Sequence, residues 1–243
     1  MYRVAAFRTA GLLASATILM LGCHSGMSNG GTSEMNTLSS KEVQAGWKLL
    51  FDGRTTEGWR NYRKKTVGPG WSVIDGVLTR SGDDAGDIIT RDKYRNFELA
   101  LDWNVAEGGN SGVMYRATEE GDYIWQSAPE MQLLDDERHA DGKLPLTSAG
   151  SAFALYPAPR GAVHPAGQWN SSRLIVNGSH VEHWLNGQTL LSYELGSDGW
   201  KEKVAASKFK SMPLYGKAGE GYIGLQDHGD RIQFRNIRIR TLP

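Results

Sequence analysis

The 243-residue chain predicts an all-β sandwich or jelly roll. Short runs of alternating apolar and polar residues recur between turn signals. Asp-Gly and Asn-Gly pairs stand where two-residue hairpins need them. Helical periodicity is almost absent after the N-terminus.

The first segment in chain order is a leader. Arg3 and Arg8 give a basic start, an apolar run follows from Ala10 to Leu21, and Gly22-Cys23 closes it. This is the pattern of a secretory signal peptide over residues 1–22, too short to remain as a membrane span. Cys23, the only cysteine, stands where a lipoprotein signal carries its lipidated residue, with plain secretion as the alternative. His24 follows it rather than an aspartate, which favours the outer membrane of a Gram-negative cell. The expectation is therefore a periplasmic or cell-envelope protein, lipid-anchored to the outer membrane. A lipidated Cys23 leaves no disulfide and no Cys-based metal site. Residues 23–42 are rich in Gly, Ser, Asn and Thr and read as a flexible tether. Residues 43–243 remain for one domain with a well-buried core. Net charge is zero and no basic patch occurs, so nucleic acid is not an expected partner.

The strands follow. Trp71–Leu78 holds Asp75-Gly76, a hairpin signal. Phe97–Val105 sets Phe97, Leu99, Leu101 and Trp103 against Glu98, Ala100, Asp102 and Asn104. Ser111–Ala117 is a further strand. Arg173–Leu191 contains Asn177-Gly178 and Asn186-Gly187 and reads as a meander of three strands. Plausible helices are short; Trp200–Phe209 can form one, opening after Ser197-Asp198-Gly199 and stopped by Pro213. Gly221–Gln226 and Arg231–Arg240 are expected to close the chain as a hairpin through Gly229-Asp230.

Several strand faces carry unexpected chemistry. In Gly221–Gly229, alternation points Gly224, Gln226 and His228 one way and Ile223, Leu225 and Asp227 the other. Asp227 then reads as a structural hydrogen-bonding partner. In Glu130–His139, Glu130 and Gln132 share a face opposite Met131 and Leu133, and an acidic turn ends in His139. In Asn110–Arg116, Gly112, Met114 and Arg116 share a face. An arginine there can donate to hydroxyls, a carbonyl or a carboxylate, or form an ion pair with Glu130. His183 precedes Trp184 inside the meander and is either a packed structural histidine or a catalyst. If these strands form one curved sheet, Arg116, Glu130, Gln132, His183, Gln226 and His228 converge on a polar concave face suited to a hydroxylated ligand. A solvent-facing strand is the competing reading. No Ser-His-Asp spacing, nucleophile elbow, P-loop or Rossmann fingerprint occurs, which argues against acyl transfer and nucleotide chemistry. Any one of the eight tryptophans is more simply read as core than as a sugar platform.

From Gly46 to the end the chain resembles the bacterial 3-keto-disaccharide hydrolase (3-keto-glycoside lyase/hydratase) family, formerly a domain of unknown function. The resemblance rests on Gly46–Gly53 with Gly58-Trp59, Asn110-Ser111-Gly112 with Arg116, and Glu130-Met131-Gln132 with Asp135-Asp136 and His139. It continues through Gln168-Trp169-Asn170 with Arg173, His183–Gly187, Gly224–Gly229 and Phe234–Ile237. It implies a concanavalin A/laminin-G-like jelly roll, often secreted or lipid-anchored. It further implies that a separate sugar 3-dehydrogenase oxidises the substrate at C3. The ketone then acidifies the C2 proton, a base removes it, the C1 group departs by β-elimination, and the product can be hydrated. For this chemistry the candidate bases are His228, His183 and Glu130, and Arg116 is the candidate donor to the enolate. A divalent metal is a possible alternative Lewis acid, with Glu130, Asp135, Asp136 and His139 as candidate ligands; no organic cofactor is implied. Asn110, Gln132 and Gln226 would orient hydroxyls, and Trp125 and Tyr156 would stack on sugar. The alternative is a non-catalytic carbohydrate-binding lipoprotein, which needs no general base; a purely structural envelope lipoprotein needs none of these groups.

Overall fold

A computed structural model of the chain describes Met1 and residues 34–243. The expected signal segment beyond Met1, Cys23 and the first part of the expected tether lie outside the described residues. The strands are β1 (Lys48–Leu49), β2 (Trp59–Asn61), β3 (Trp71–Ile74), β4 (Val77–Arg80), β5 (Ile88–Thr90), β6 (Phe97–Val105) and β7 (Asn110–Ala117). They continue as β8 (Glu130–Leu134), β9 (Asn170–Asn177), β10 (His180–Leu185), β11 (Gln188–Glu194), β12 (Tyr222–Leu225) and β13 (Ile232–Thr241). Among the described residues there are two α-helices, α1 (Ser40–Gln44) and α2 (Asp198–Ala206). The larger sheet runs β11-β10-β9-β6-β13-β4-β3, with β1 also on β13; the smaller runs β2-β5-β12-β7-β8. All pairings are antiparallel. This is the all-β sandwich that the alternating runs predict.

Period-two alternation decides which residues meet between the sheets. Phe97, Leu99, Leu101 and Trp103 of β6 and Leu174 and Val176 of β9 share one core with Val113, Tyr115, Met131, Leu133, Ile223 and Leu225 of the smaller sheet. The hairpins follow their turn residues. Asp75-Gly76 and Asn186-Gly187 both have positive φ at each position, as a two-residue type I′ turn requires. The β9–β10 loop is Gly178-Ser179, since Asn177 itself pairs with His180.

Strand β13 breaks the alternation, burying both Phe234 and Ile237. The cause is a one-residue bulge against β6 between Arg235 and Arg238, where Asn236 takes φ +54°. Asn236 holds the start of the fold. Its N–H donates to Asn36 Oδ1 at 2.8 Å, and its Oδ1 accepts from Asn36 N–H at 2.7 Å. Asn36 is buried and also donates to Gly76 O at 2.8 Å. The ordered body therefore begins before Val43, inside the stretch that composition alone marks as tether.

The expected C-terminal hairpin is not formed. Strand β12 lies between β5 and β7 in one sheet, and β13 lies between β6 and β4 in the other. The segment after β12, with Gly229 at φ +94°, carries the chain from the smaller sheet to the larger one.

Helix α2 opens at Ser197, whose side chain accepts from Trp200 N–H at 3.1 Å. Trp200 is buried and stacks between Tyr193 (5.6 Å) and Tyr215 (6.0 Å). That anchors the following 3-10 turn, Lys208–Ser211, which reaches over the smaller sheet. Of the other tryptophans, Trp59, Trp71 and Trp103 are buried with their indole N–H donating to Leu50 O, Gly86 O and Ser172 Oγ. Replacing Trp200 with Ala is expected to cost about 3–5 kcal/mol, read by equilibrium urea unfolding. A loss under about 1 kcal/mol would show that the stack is peripheral to the core.

Candidate functional site

Strands β7 and β8 are buried along their whole length, on both faces. Their inner faces join the sandwich core. Their outer faces carry Asn110, Gly112 and Met114 on β7 and Glu130 and Gln132 on β8, with Gly112 opposite Gln132 and Met114 opposite Glu130. Gly112 leaves room for the acid: a Cβ there would lie 2.8 Å from the Glu130 carboxyl carbon and closer still to Oε1, so the Glu130 side chain would have to move. Beside them the chain leaves β12, with Gln226 N–H donating to Gly112 O at 3.0 Å. Residues 226–228 then follow the same surface. The result is a cleft of about 620 Å3. Glu130, Gln132, Asn110, Gln226, Asp87, Asp141, Asp227 and His228 are its polar lining, and Tyr123, Trp125, Phe153, Phe209 and Met212 its apolar lining. Lys208 is the only lysine or arginine among the lining residues.

Glu130 is 6% exposed, and no hydrogen bond to its carboxylate forms among the described residues. Burial pushes its pKa up to about 8, with the Lys208 charge acting against the shift and Asp87 and Asp141 adding to it. Burial raises Asp87 to about 6; the Asp227 N–H at 2.8 Å opposes this, and the Asp227 charge adds to it. Asp227 is itself engaged by Arg80 Nε at 2.5 Å and Gly86 N–H at 2.7 Å, a structural role. Around Glu130, three buried amide oxygens have no hydrogen-bond partner: Asn110 Oδ1, Gln132 Oε1 and Gln226 Oε1. All three residues line the cleft, where these oxygens can accept from a ligand bearing several donors. At the rim Tyr123 and Trp125 stack at 5.3 Å and 11°, and exposed His228 stands edge-on to His139 at 6.2 Å.

Other sequence candidates lie elsewhere, each for a physical reason. His183 shares the inward face of β10 with Val181 and Leu185 and is fully buried. Its Nδ1 is 2.9 Å from Gly150 O and its Nε2 3.2 Å from Tyr193 Oη. Burial lowers its pKa to about 4, so it is a neutral core residue outside the cleft. Arg116 is turned away by a bulge on β7. Ile223 of β12 alone faces both Tyr115 and Arg116 of β7 there, and Arg116 takes φ +52°. Ala117 thereby joins Met114 on the cleft-side face in place of Arg116. Tyr156 stacks on Tyr193 at 4.6 Å, with Lys203 Nζ 4.9 Å from its centroid, and does not line the cleft.

The proposed metal ligands are not assembled. Asp135 accepts from the N–H groups of Gly108 (2.7 Å) and Glu137 (3.1 Å), and Asp136 from that of Ala149 (2.7 Å). His139 Nδ1 accepts from Asp141 N–H at 3.1 Å. Among the described residues no three His, Cys, Asp or Glu side chains are placed to hold a metal ion. These groups are engaged by backbone N–H groups and do not fit a metal. Sequence reasoning missed Asp87, Lys208, Phe209 and Met212. Each comes from a distant segment, and only the tertiary fold brings them to the sheet.

A buried carboxylate beneath orphaned amide oxygens, beside a stacked aromatic pair on a jelly-roll sheet, defines a site for polyhydroxylated ligands. The chain matches the family model described as a 3-keto-alpha-glucoside-1,2-lyase-like domain over residues 46–240. It is 36% identical to the 3-keto-disaccharide hydrolase of Bacteroides thetaiotaomicron, across 86% of this chain and 83% of that one. A provisionally assigned glycosyl hydrolase of Parabacteroides distasonis superposes with a TM-score of 0.81 at 35% identity, covering 86% of this chain and all of the other. A Bacillus subtilis protein with a galectin-like fold superposes at 0.51 with 14% identity, covering 85% and 94% of the two chains, and speaks to the fold alone. The chain belongs to the 3-keto-alpha-glucoside-1,2-lyase-like family of carbohydrate-active proteins.

The Glu130 shift has a consequence for stability. Its folded value, about 8, lies above the ordinary 4.5, so its contribution is complete below about pH 4.5 and is lost as pH rises through about 8. Glu130→Gln is expected to unfold like the parent at pH 4.5 and to be more stable than it at pH 8.5, by several kcal/mol. Parallel urea titrations at the two pH values check this; an equal offset at both would mean that the carboxyl is not perturbed.

Proposed function

We propose that this protein cleaves 3-keto-glycosides, glucosides or disaccharides oxidised at C3, by removing the C2 proton and eliminating the C1 substituent and/or hydrating the product. The observation that carries the reading is the desolvated Glu130 ringed by Asn110 Oδ1, Gln132 Oε1 and Gln226 Oε1. A C2 hydrogen beside a ketone is a weak acid, and a carboxylate whose pKa is raised by burial is a stronger base than an ordinary one. Glu130 takes the C2 proton. The three amide oxygens accept from sugar hydroxyls and fix the ring, while Tyr123 and Trp125 offer a stacking surface at the rim.

Proton removal places negative charge on the C3 oxygen. Lys208 is the lining cation that can stabilise it, taking the role that the sequence suggested for Arg116. His228, at the open rim, is the group placed to protonate the departing C1 oxygen or to activate water for hydration. The ketone is not made here, so a sugar 3-dehydrogenase acts upstream. The leader sequence supports a lipid anchor at Cys23 and an envelope location.

Purified protein is to be mixed with a 3-keto-glucoside and with its unoxidised parent. Release of the C1 group from the keto form alone is expected. Binding of both sugars without turnover, with or without added divalent metal, would instead make the protein a carbohydrate-binding lipoprotein. Glu130→Gln should lower kcat by about 100-fold or more. Lys208→Ala should lower it by about 100-fold with little change in thermal stability, because Lys208 is exposed. Wild-type turnover in both variants would sink the assignment of base and enolate donor.

A further inference from the structure

Arg116 leaves the cleft for a second cavity of about 470 Å3, which shares no lining residue with the first. Three of its lining residues, Arg95, Arg116 and Lys217, are cations, and none is an acid. Arg116 is 7% exposed. Its Nη2 donates to Arg95 O at 3.2 Å and Gly178 O at 2.6 Å, while its Nε has no partner. Those carbonyls hold the guanidinium but do not neutralise it, and no carboxylate pairs with it among the described residues. Burial lowers its pKa, and the Arg95 charge pushes the same way. Glu194 precedes the lining residue Leu195, but its oxygens are taken by Ser179 Oγ at 2.5 Å and His180 Nδ1 at 2.6 Å. Glu220, next to lining Gly219, is exposed and is not part of the cavity wall.

A buried cation without a counter-charge is costly, and removal of that cost favours an anion. The backbone is bent to achieve this placement. The β7 bulge gives Arg116 its left-handed φ of +52°, and a Cβ on neighbouring Gly221 would lie 2.7 Å from the Arg116 Cα. Gly178, Gly196, Gly216 and Gly219 line the cavity without side chains and leave the guanidinium approachable. We propose that this cavity binds a small oxyanion, a carboxylate, sulfate or phosphate group, with Arg116 at its base and the exposed Arg95 and Lys217 at its mouth. The planar fork of a guanidinium matches such oxygens better than it matches a halide.

Isothermal titration calorimetry at low ionic strength, with sulfate, phosphate and glucuronate as probes, tests this. Glucose serves as the neutral control and sodium chloride as the ionic-strength control. Saturable binding of at least one oxyanion is expected, with none for glucose. Arg116→Gln should abolish it. Because that substitution touches a buried group and can disturb folding, the double variant Arg95→Ala/Lys217→Ala, at exposed positions, carries the decision; it should weaken binding about tenfold. Glucuronate binding at least as tightly as sulfate assigns the site to an acidic sugar, and inorganic ions binding alone assign it to a free anion. Absence of saturation by all three oxyanions, or unchanged affinity in the double variant, overturns the proposal.

Discussion

Everything at the cleft depends on one tight placement, the Glu130 carboxyl lying over the bare backbone of Gly112 on the neighbouring strand. The glycine removes the side chain that would fill the space, and the sheet register holds the acid against it. Burial without a bonding partner then raises the acid's pKa, and the surrounding amide oxygens are left unmade. The buried carboxyl costs stability once it ionises, and the amide oxygens stand in the cleft wall as acceptors. Stability for the whole comes from elsewhere, from the two-sheet core and the Trp200 aromatic stack.

Bulges divide the molecule's chemistry. On β13 the Asn236 bulge lets both Phe234 and Ile237 face the core and offers a docking point for Asn36. On β7 the Arg116 bulge turns a guanidinium away from an otherwise continuous polar face. A single inserted residue thus separates an acidic cleft, with one lysine in its wall, from a cavity whose charged groups are all cations. Without it, Arg116 would sit on the face of Met114 and Glu130, where its charge would lower the carboxyl pKa that the cleft keeps high.

Strand alternation, hairpin signals and the motif order are local properties, so the sequence by itself determined the sandwich class, the β9–β11 meander, the faces of Glu130, Gln132 and Gln226, and the family. Asn-Gly and Asp-Gly turns declare themselves because only a few residues tolerate positive φ. Tertiary structure decided what depends on register and on distant segments. It sent His183 to the core with Val181 and Leu185, and Tyr156 to the Trp200 stack. It spent Asp135, Asp136 and His139 on capping N–H groups, split β12 from β13 between sheets, and brought Asp87 and Lys208 to the cleft. A two-residue period tells which side of a strand a residue faces. It does not tell which sheet the strand joins, or where one extra residue reverses the count.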